Sequence, residues 1–191
     1  VVYVDPSWKS GGKNDYKACK MWGRPKRGLK TASHRELHCI RAFCRQCGVG
    51  EMVRWLYDLY ESLPEDCAAT FYMEANFMQD TILDEFQREG DIRGYQLPVM
   101  PDTRKKPDKF ARIEAISPLW ERGLVWYNIR LKDDADMRTS IDQTLSFEQG
   151  SRAHDDSPDA DEGAIYKLQK QVRQDTMPPR IGMRQAPKEG W

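Results

Sequence analysis

Three acidic positions in this sequence sit where carboxylates can do chemistry. Asp5 closes the apolar run Val1-Val2-Tyr3-Val4, Glu74 follows Ala69-Thr70-Phe71-Tyr72-Met73, and His154-Asp155-Asp156-Ser157-Pro158-Asp159 stands where a last helix should begin. Ligands of α/β sheets gather at the carboxyl ends of strands, so acids from two strand tips and a helix start could converge there. Carboxylates within ~4–6 Å of one another repel and retain protons unless a cation neutralises them, and hard oxygen donors favour Mg²⁺ or Mn²⁺ over zinc. Two such ions about 3.5–4 Å apart would form the clamp used for in-line phosphodiester hydrolysis, one activating water and the other stabilising the leaving oxygen. Taken singly, each acid has a plainer explanation. An Asp after a strand is commonly a turn or cap residue, and acids at a helix start answer the helix dipole on a solvated face, the role expected of Asp161 and Glu162. Glu74 carries the most weight, because the apolar residues around it leave little room for a solvated face. His154, beside the late acids, could ligate metal, orient a carboxylate or shuttle a proton, with a structural hydrogen bond at the helix entrance as the alternative.

The elements that must place these residues can be read from periodicity. Apolar stretches at 1–4, 15–22 and 37–44, separated by turn-forming segments, suggest an antiparallel meander. Met52, Leu56, Leu59 and Leu63 then share one helical stripe, with Val53, Trp55 and Tyr60 beside it, and Pro64 ends it. A buried strand over 69–73 leads into Glu74, and a helix over 78–88 is expected to close at Gly90. Strands at 97–100 and 124–127 flank a basic segment that runs into a helix, a helix follows over 136–147, and Ser157-Pro158 is a good cap and first-turn pair for a final helix to about residue 174. This order describes an α/β fold, a mixed sheet whose first three strands are antiparallel and whose later strands are parallel, with helices on both faces. Trp55, Trp120 and Trp126 fit its core, and Trp8 lies in the loop after Asp5.

With these residues in place, the sequence resembles the C-terminal nuclease domain of the large terminase subunit of tailed bacteriophages, a ribonuclease H-like fold. The resemblance rests on Tyr3-Val4-Asp5-Pro6-Ser7 with Asp15-Tyr16-Lys17-Ala18, on Tyr72-Met73-Glu74-Ala75-Asn76, on Lys109-Phe110-Ala111-Arg112-Ile113 with Gly123-Leu124-Val125, and on the stretch from His154 to Ala160. It implies a metal-dependent endonuclease that cuts concatemeric double-stranded viral DNA during genome packaging, with Mg²⁺ or Mn²⁺ as cofactor, two ions expected. It maps the metal-holding and catalytic acids onto Asp5, Glu74 and Asp156, with Asp155 and Asp159 as further metal candidates. It also implies partners: a packaging ATPase domain on the same full-length chain, the portal and the small terminase subunit. No Walker A pattern occurs here, and the abrupt apolar start reads as a domain cut from a longer chain. Residues 1–176 are expected to form the nuclease domain and 177–191, rich in Pro and Gly, a loose tail.

The charge pattern bounds the other partners. The 191 residues carry 30 Lys+Arg against 30 Asp+Glu, so phosphate must be met by local patches rather than by an overall field. Two stretches qualify, 24–30 with Arg24, Lys26 and Arg27, and 104–112 with Arg104, Lys105, Lys106, Lys109 and Arg112; Lys9 and Lys13, after Asp5, could also face DNA. Loops of this kind read shape and charge rather than bases, so little sequence specificity is expected. No run approaches the ~20 apolar residues of a membrane span, and no secretion signal opens the chain, which agrees with the bacterial host cytoplasm as its setting. The five cysteines read as free thiols of a reducing compartment; Cys44 and Cys47 form a Cys-x-x-Cys near His34, His38 and Cys39, but no second pair closes a zinc site. Two other readings share these acids. A transposase, integrase or junction resolvase would use the same carboxylates on the same fold, whereas a non-catalytic DNA-binding or assembly module would use them only as caps or for a structural cation.

Overall fold

Alternation of apolar side chains builds the centre of the molecule, seen in a computed structural model that describes residues 1–6, 16–25, 30, 32–65, 67–78, 80–150 and 153–176. Strand β1 (Val2–Asp5) pairs antiparallel with β2 (Lys17–Gly23), which pairs antiparallel with β3 (Leu37–Arg45). On the other side of β1 run β4 (Phe71–Glu74) and then β5 (Val99–Asp102), both parallel, while β6 (Val125–Tyr127) joins the far edge parallel to β3. The six-stranded order is β5-β4-β1-β2-β3-β6, the mixed sheet expected from the sequence.

Two cores follow from the period of two along each strand. Val2, Val4, Cys19, Met21 and Phe43 face α1 (Val49–Glu61) and α2 (Asp80–Arg93), where Met52, Val53, Leu56 and Tyr57 complete a fully buried layer. Tyr3, Ala18, Trp22, Leu37 and Cys39 face the opposite side, covered by α5 (Ala135–Leu145) and α6 (Asp156–Thr176) through Met137, Ala160, Ala164 and Ile165. The β2–β3 register slips between Met21 and Trp22, with Ile40 as the extra residue. Such a bulge reverses the alternation, which is why Cys39 and Phe43, both odd-numbered, lie on opposite faces. Between β5 and β6 come two short helices, α3 (Lys109–Glu114) and α4 (Pro118–Glu121).

Three expectations are corrected. Helix α2 does not close at Gly90 but runs on to Arg93; Gly94 takes the left-handed turn at φ 79°, where a glycine is favoured. At Gly90 the nearest neighbour of a β-carbon would be the amide of exposed Gln96, at 2.3 Å, a side chain free to move aside. Trp126 is not a core residue: it is half exposed on edge strand β6 and stacks on His38. The final helix begins at Asp156, so Ser157 is its second residue and not its cap, with its hydroxyl turned to Ser140, while Pro158 falls within the first turn. Cys39 and Cys44 are buried in β3, and burial pushes both thiols up to about 12. Among the described residues no helix is long and apolar enough to cross a membrane. The tail 177–191 and Trp8 lie outside the described residues.

Candidate functional site

Parallel pairing of β1 and β4 puts Val4 opposite Met73, so Asp5 and Glu74 leave neighbouring strands at the same level. Asp5 is buried and Glu74 partly so. The adjacent β5 adds a carboxylate at the same end, with Asp102 directly opposite Glu74. Helix α6 lies across β1 and β2 and opens with buried Asp156; Asp155 precedes it and buried Asp159 stands one turn on. The site residues expected from the sequence are therefore delivered to one end of the sheet by three separate elements.

Cations from the β5–α3 segment lie among these acids. Lys106 Nζ donates to Glu74 Oε2 at 2.8 Å and stands 3.9 Å from Asp159 Oδ1. Lys109 Nζ donates to Asp155 Oδ1 at 2.7 Å and lies 3.4 Å from Asp159 Oδ2. Arg112 grips Asp159 at 2.7 Å and Glu162 at 2.7 Å. Burial alone would pull the Lys109 ammonium down, but Asp159, Asp155 and Asp5 outweigh it and its pKa is raised. Burial likewise favours the neutral form of Asp159, yet Arg112, Lys106 and Lys109 hold its carboxyl below the usual value. His154 stands apart: its Nδ1 is 4.0 Å from Asp156 Oδ2, too far for a hydrogen bond, and its ring packs edge-on against Tyr16.

A second layer of ion pairs, not foreseen from the sequence, braces this one. Asp102 accepts from Tyr3 Oη at 2.8 Å, Lys167 at 2.7 Å and Arg104 at 3.1 Å, and these partners outweigh its burial to depress its pKa. Arg104 continues to Glu162 through two bonds, of 2.7 and 2.5 Å. Asp161 and Glu162 are thus buried and paired, which corrects their assignment to a solvated helix face. Asp161 reaches inward to the fully buried Lys20, at 3.0 Å, and accepts from Trp22 Nε1 at 2.8 Å. A lysine at an inward position of an apolar strand was the signal that a buried acid must face it.

Of the proposed phosphate-binding residues, Lys105 is exposed and Lys109 partly exposed, while Arg104 and Arg112 are mostly enclosed by carboxylates. Arg24 donates to the His34 carbonyl at 3.2 Å. Lys9, Lys13, Lys26 and Arg27 lie outside the described residues.

Among the described residues no three His, Cys, Asp or Glu side chains are grouped closely enough to hold an ion. The donors suit a hard divalent cation in kind, though they are not gathered around one point. They are all carboxylate oxygens from neighbouring elements, and Lys106 and Lys109 now occupy the positive side of Glu74 and Asp155, so an ion would have to displace these ammonium groups.

No protein-family model and no curated protein matches the chain. Among solved structures, the human cytomegalovirus terminase nuclease domain is similar with 14% sequence identity and a TM-score of 0.53 over 86% of this chain and 81% of that one. A manganese-soaked structure of the same domain gives 14% identity and a TM-score of 0.56 over 86% of this chain and 80% of that one. A third, manganese-soaked and inhibitor-bound, gives 15% and 0.51 over 87% and 81%. The chain therefore has the ribonuclease H-like α/β fold of terminase nuclease domains.

Proposed function

We propose that this chain is a divalent-metal-dependent endonuclease domain that cuts double-stranded viral DNA during genome packaging. The observation that carries the proposal is the delivery of Asp5, Glu74 and Asp156 to one end of the sheet by two parallel strands and the helix packed on them, within a fold shared with a terminase nuclease domain. Asp5, Glu74 and Asp156 would hold the ions, with Asp155 and Asp159 beside them. Bound there, Mg²⁺ or Mn²⁺ would activate water and stabilise the leaving oxygen of an in-line displacement.

The chain's own groups do the rest. Exposed Lys105 offers an ammonium group to phosphate next to the acids, and Lys109 would do so on release from Asp155, a contact that positions a duplex without reading its bases. Arg112 and Arg104 hold Asp159 and Glu162, fixing the first turns of α6 relative to the strand tips. In this reading the full-length chain is phage- or prophage-encoded and acts in the bacterial cytoplasm. Its packaging ATPase domain, the portal and the small terminase subunit bring it the concatemer.

The test is cleavage of supercoiled plasmid with Mg²⁺, Mn²⁺ or EDTA, using wild type beside folded Asp5→Asn and Asp156→Asn variants. Metal-dependent cleavage that leaves free ends and is lost in both variants is the expected result. Cleavage that survives both substitutions, or that continues in EDTA, overturns the reading.

A further inference from the structure

Helix α3 has two working faces. Lys109 and Arg112, three residues apart, point to the acids. Phe110 and Ile113, equally spaced, line a cavity of about 440 Å³ beside the adjoining face. Trp120 of α4, Leu145 at the end of α5 and Phe147 complete the apolar wall, with the Phe110 and Phe147 rings stacked 5.6 Å apart. None of Asp5, Glu74, Asp155, Asp156 or Asp159 lines it. Asp161 reaches its floor but is engaged by Lys20 and Trp22.

The cavity falls in the range of about 300–1,000 Å³ typical of ligand sites, and apolar surface is left open around it, with Leu145 73% exposed. Its rim is one-signed. Glu114, Glu121 and Glu148 are all exposed there, and no Lys or Arg is among the described residues that line it. Three carboxylates at the mouth repel a nucleic acid phosphate or an anionic lipid surface, and they attract a cation. The combination of greasy walls and acidic rim selects an apolar group carried between positive charges.

We propose that this cavity docks a segment of a partner protein in which an aromatic or aliphatic anchor side chain is flanked by Lys or Arg. The anchor fills the space between Phe110, Trp120 and Phe147, and its neighbours pair with the three rim glutamates. The site is independent of the nuclease reading. A seated segment would lie against the helix whose adjoining face holds Asp155 and Asp159 through Lys109 and Arg112.

The probe is a short synthetic peptide with one tryptophan between pairs of arginines, titrated into ¹⁵N-labelled protein, beside a counterpart with glutamates in place of the arginines. The basic peptide should shift the amide signals of Phe110, Ile113, Trp120 and Phe147 in a saturable way, and the acidic one should bind at least about tenfold more weakly. The surface triple variant Glu114→Lys, Glu121→Lys, Glu148→Lys should invert that preference while leaving the amide spectrum of α1 and β1 unchanged. Ser117→Trp, which places an indole at the mouth, should abolish both. Equal binding of the two peptides, no saturable shift from either, or shifts centred on Asp5, Glu74 and Asp156 instead of the cavity would each overturn the proposal. None of these outcomes depends on DNA cleavage, so the nuclease reading and this one can fail separately.

Discussion

Lys20 is a fully buried lysine in the middle of a strand, and its charge is tolerated only because Asp161 and the Ser140 hydroxyl meet its ammonium. Burial works to lower its pKa, but Asp161 outweighs burial and the pKa ends raised. A group raised in the folded state contributes stability in full below its unfolded pKa, about 10.4 for lysine. That contribution is lost as the pH rises through the folded value. Lys20→Met leaves Asp161 buried without its cation and should lower stability by about 3–5 kcal/mol, read as the urea midpoint at neutral pH. The variant should also lose part of the wild type's decline above about pH 10.4; an unchanged midpoint at neutral pH would sink the account. The same network shows what a sequence conceals at this scale. Asp5 and Glu74 were legible because each follows an apolar run, and Asp156 because it opens a helix. Asp161 and Glu162 were not, because a run of acids near a helix start has the same composition whether it faces water or an inward lysine. Asp102, at the tip of the short β5, carried no local signal, since its partners Tyr3, Arg104 and Lys167 are assembled only by the fold.

At the scale of elements, the acids depend on how closely α6 approaches β1. Gly163 sets that distance: a β-carbon there would come within 2.5 Å of the Tyr3 ring. Tyr3 has little freedom to retreat, because its hydroxyl is bonded to Asp102 and its ring is buried. Gly163→Ala should therefore push the helix outward despite the better helix propensity of alanine, destabilising the fold by about 1–3 kcal/mol as overpacked substitutions do. Under the proposed function it should also cut cleavage more than the stability loss alone explains, since Asp156 and Asp159 ride on the displaced helix. Thermal unfolding and plasmid cleavage of the folded variant check both parts, and unaltered stability would show that the contact yields freely. Strands and the main helices were legible from alternation and stripe, because burial on one face imposes those periods directly. Helix ends were less so. Gly90 and Gly94 are equivalent in sequence, and the left-handed backbone at Gly94 is what ends α2.

The whole molecule carries 30 basic and 30 acidic residues and no net charge, so no long-range field should draw DNA to it. The acid site is itself a local negative region, and several cations beside it are held internally: Lys106 by Glu74, Arg104 by Asp102 and Glu162, and Arg112 by Asp159 and Glu162. Lys109 is likewise paired with Asp155, so among the described residues of the 104–112 segment Lys105 is left exposed to meet phosphate. The logarithm of affinity for B-DNA falls with the logarithm of salt by about 0.9 per neutralised phosphate. Even with contributions from Lys9, Lys13, Lys26 and Arg27, the slope should stay near roughly −2 to −5, with weak binding at physiological salt. Fluorescence polarisation of a labelled duplex over a salt series, with EDTA present to prevent cutting, measures it. Tight binding with a much steeper slope would show that the chain finds DNA unaided. The expected shallow slope and weak binding would instead make delivery of the duplex the task of a partner, the role proposed for the packaging ATPase domain. Adding that domain should then raise affinity and steepen the slope together, because the new contacts are phosphate contacts; a rise in affinity with no change in slope would mean that it acts on the nuclease fold rather than on the DNA.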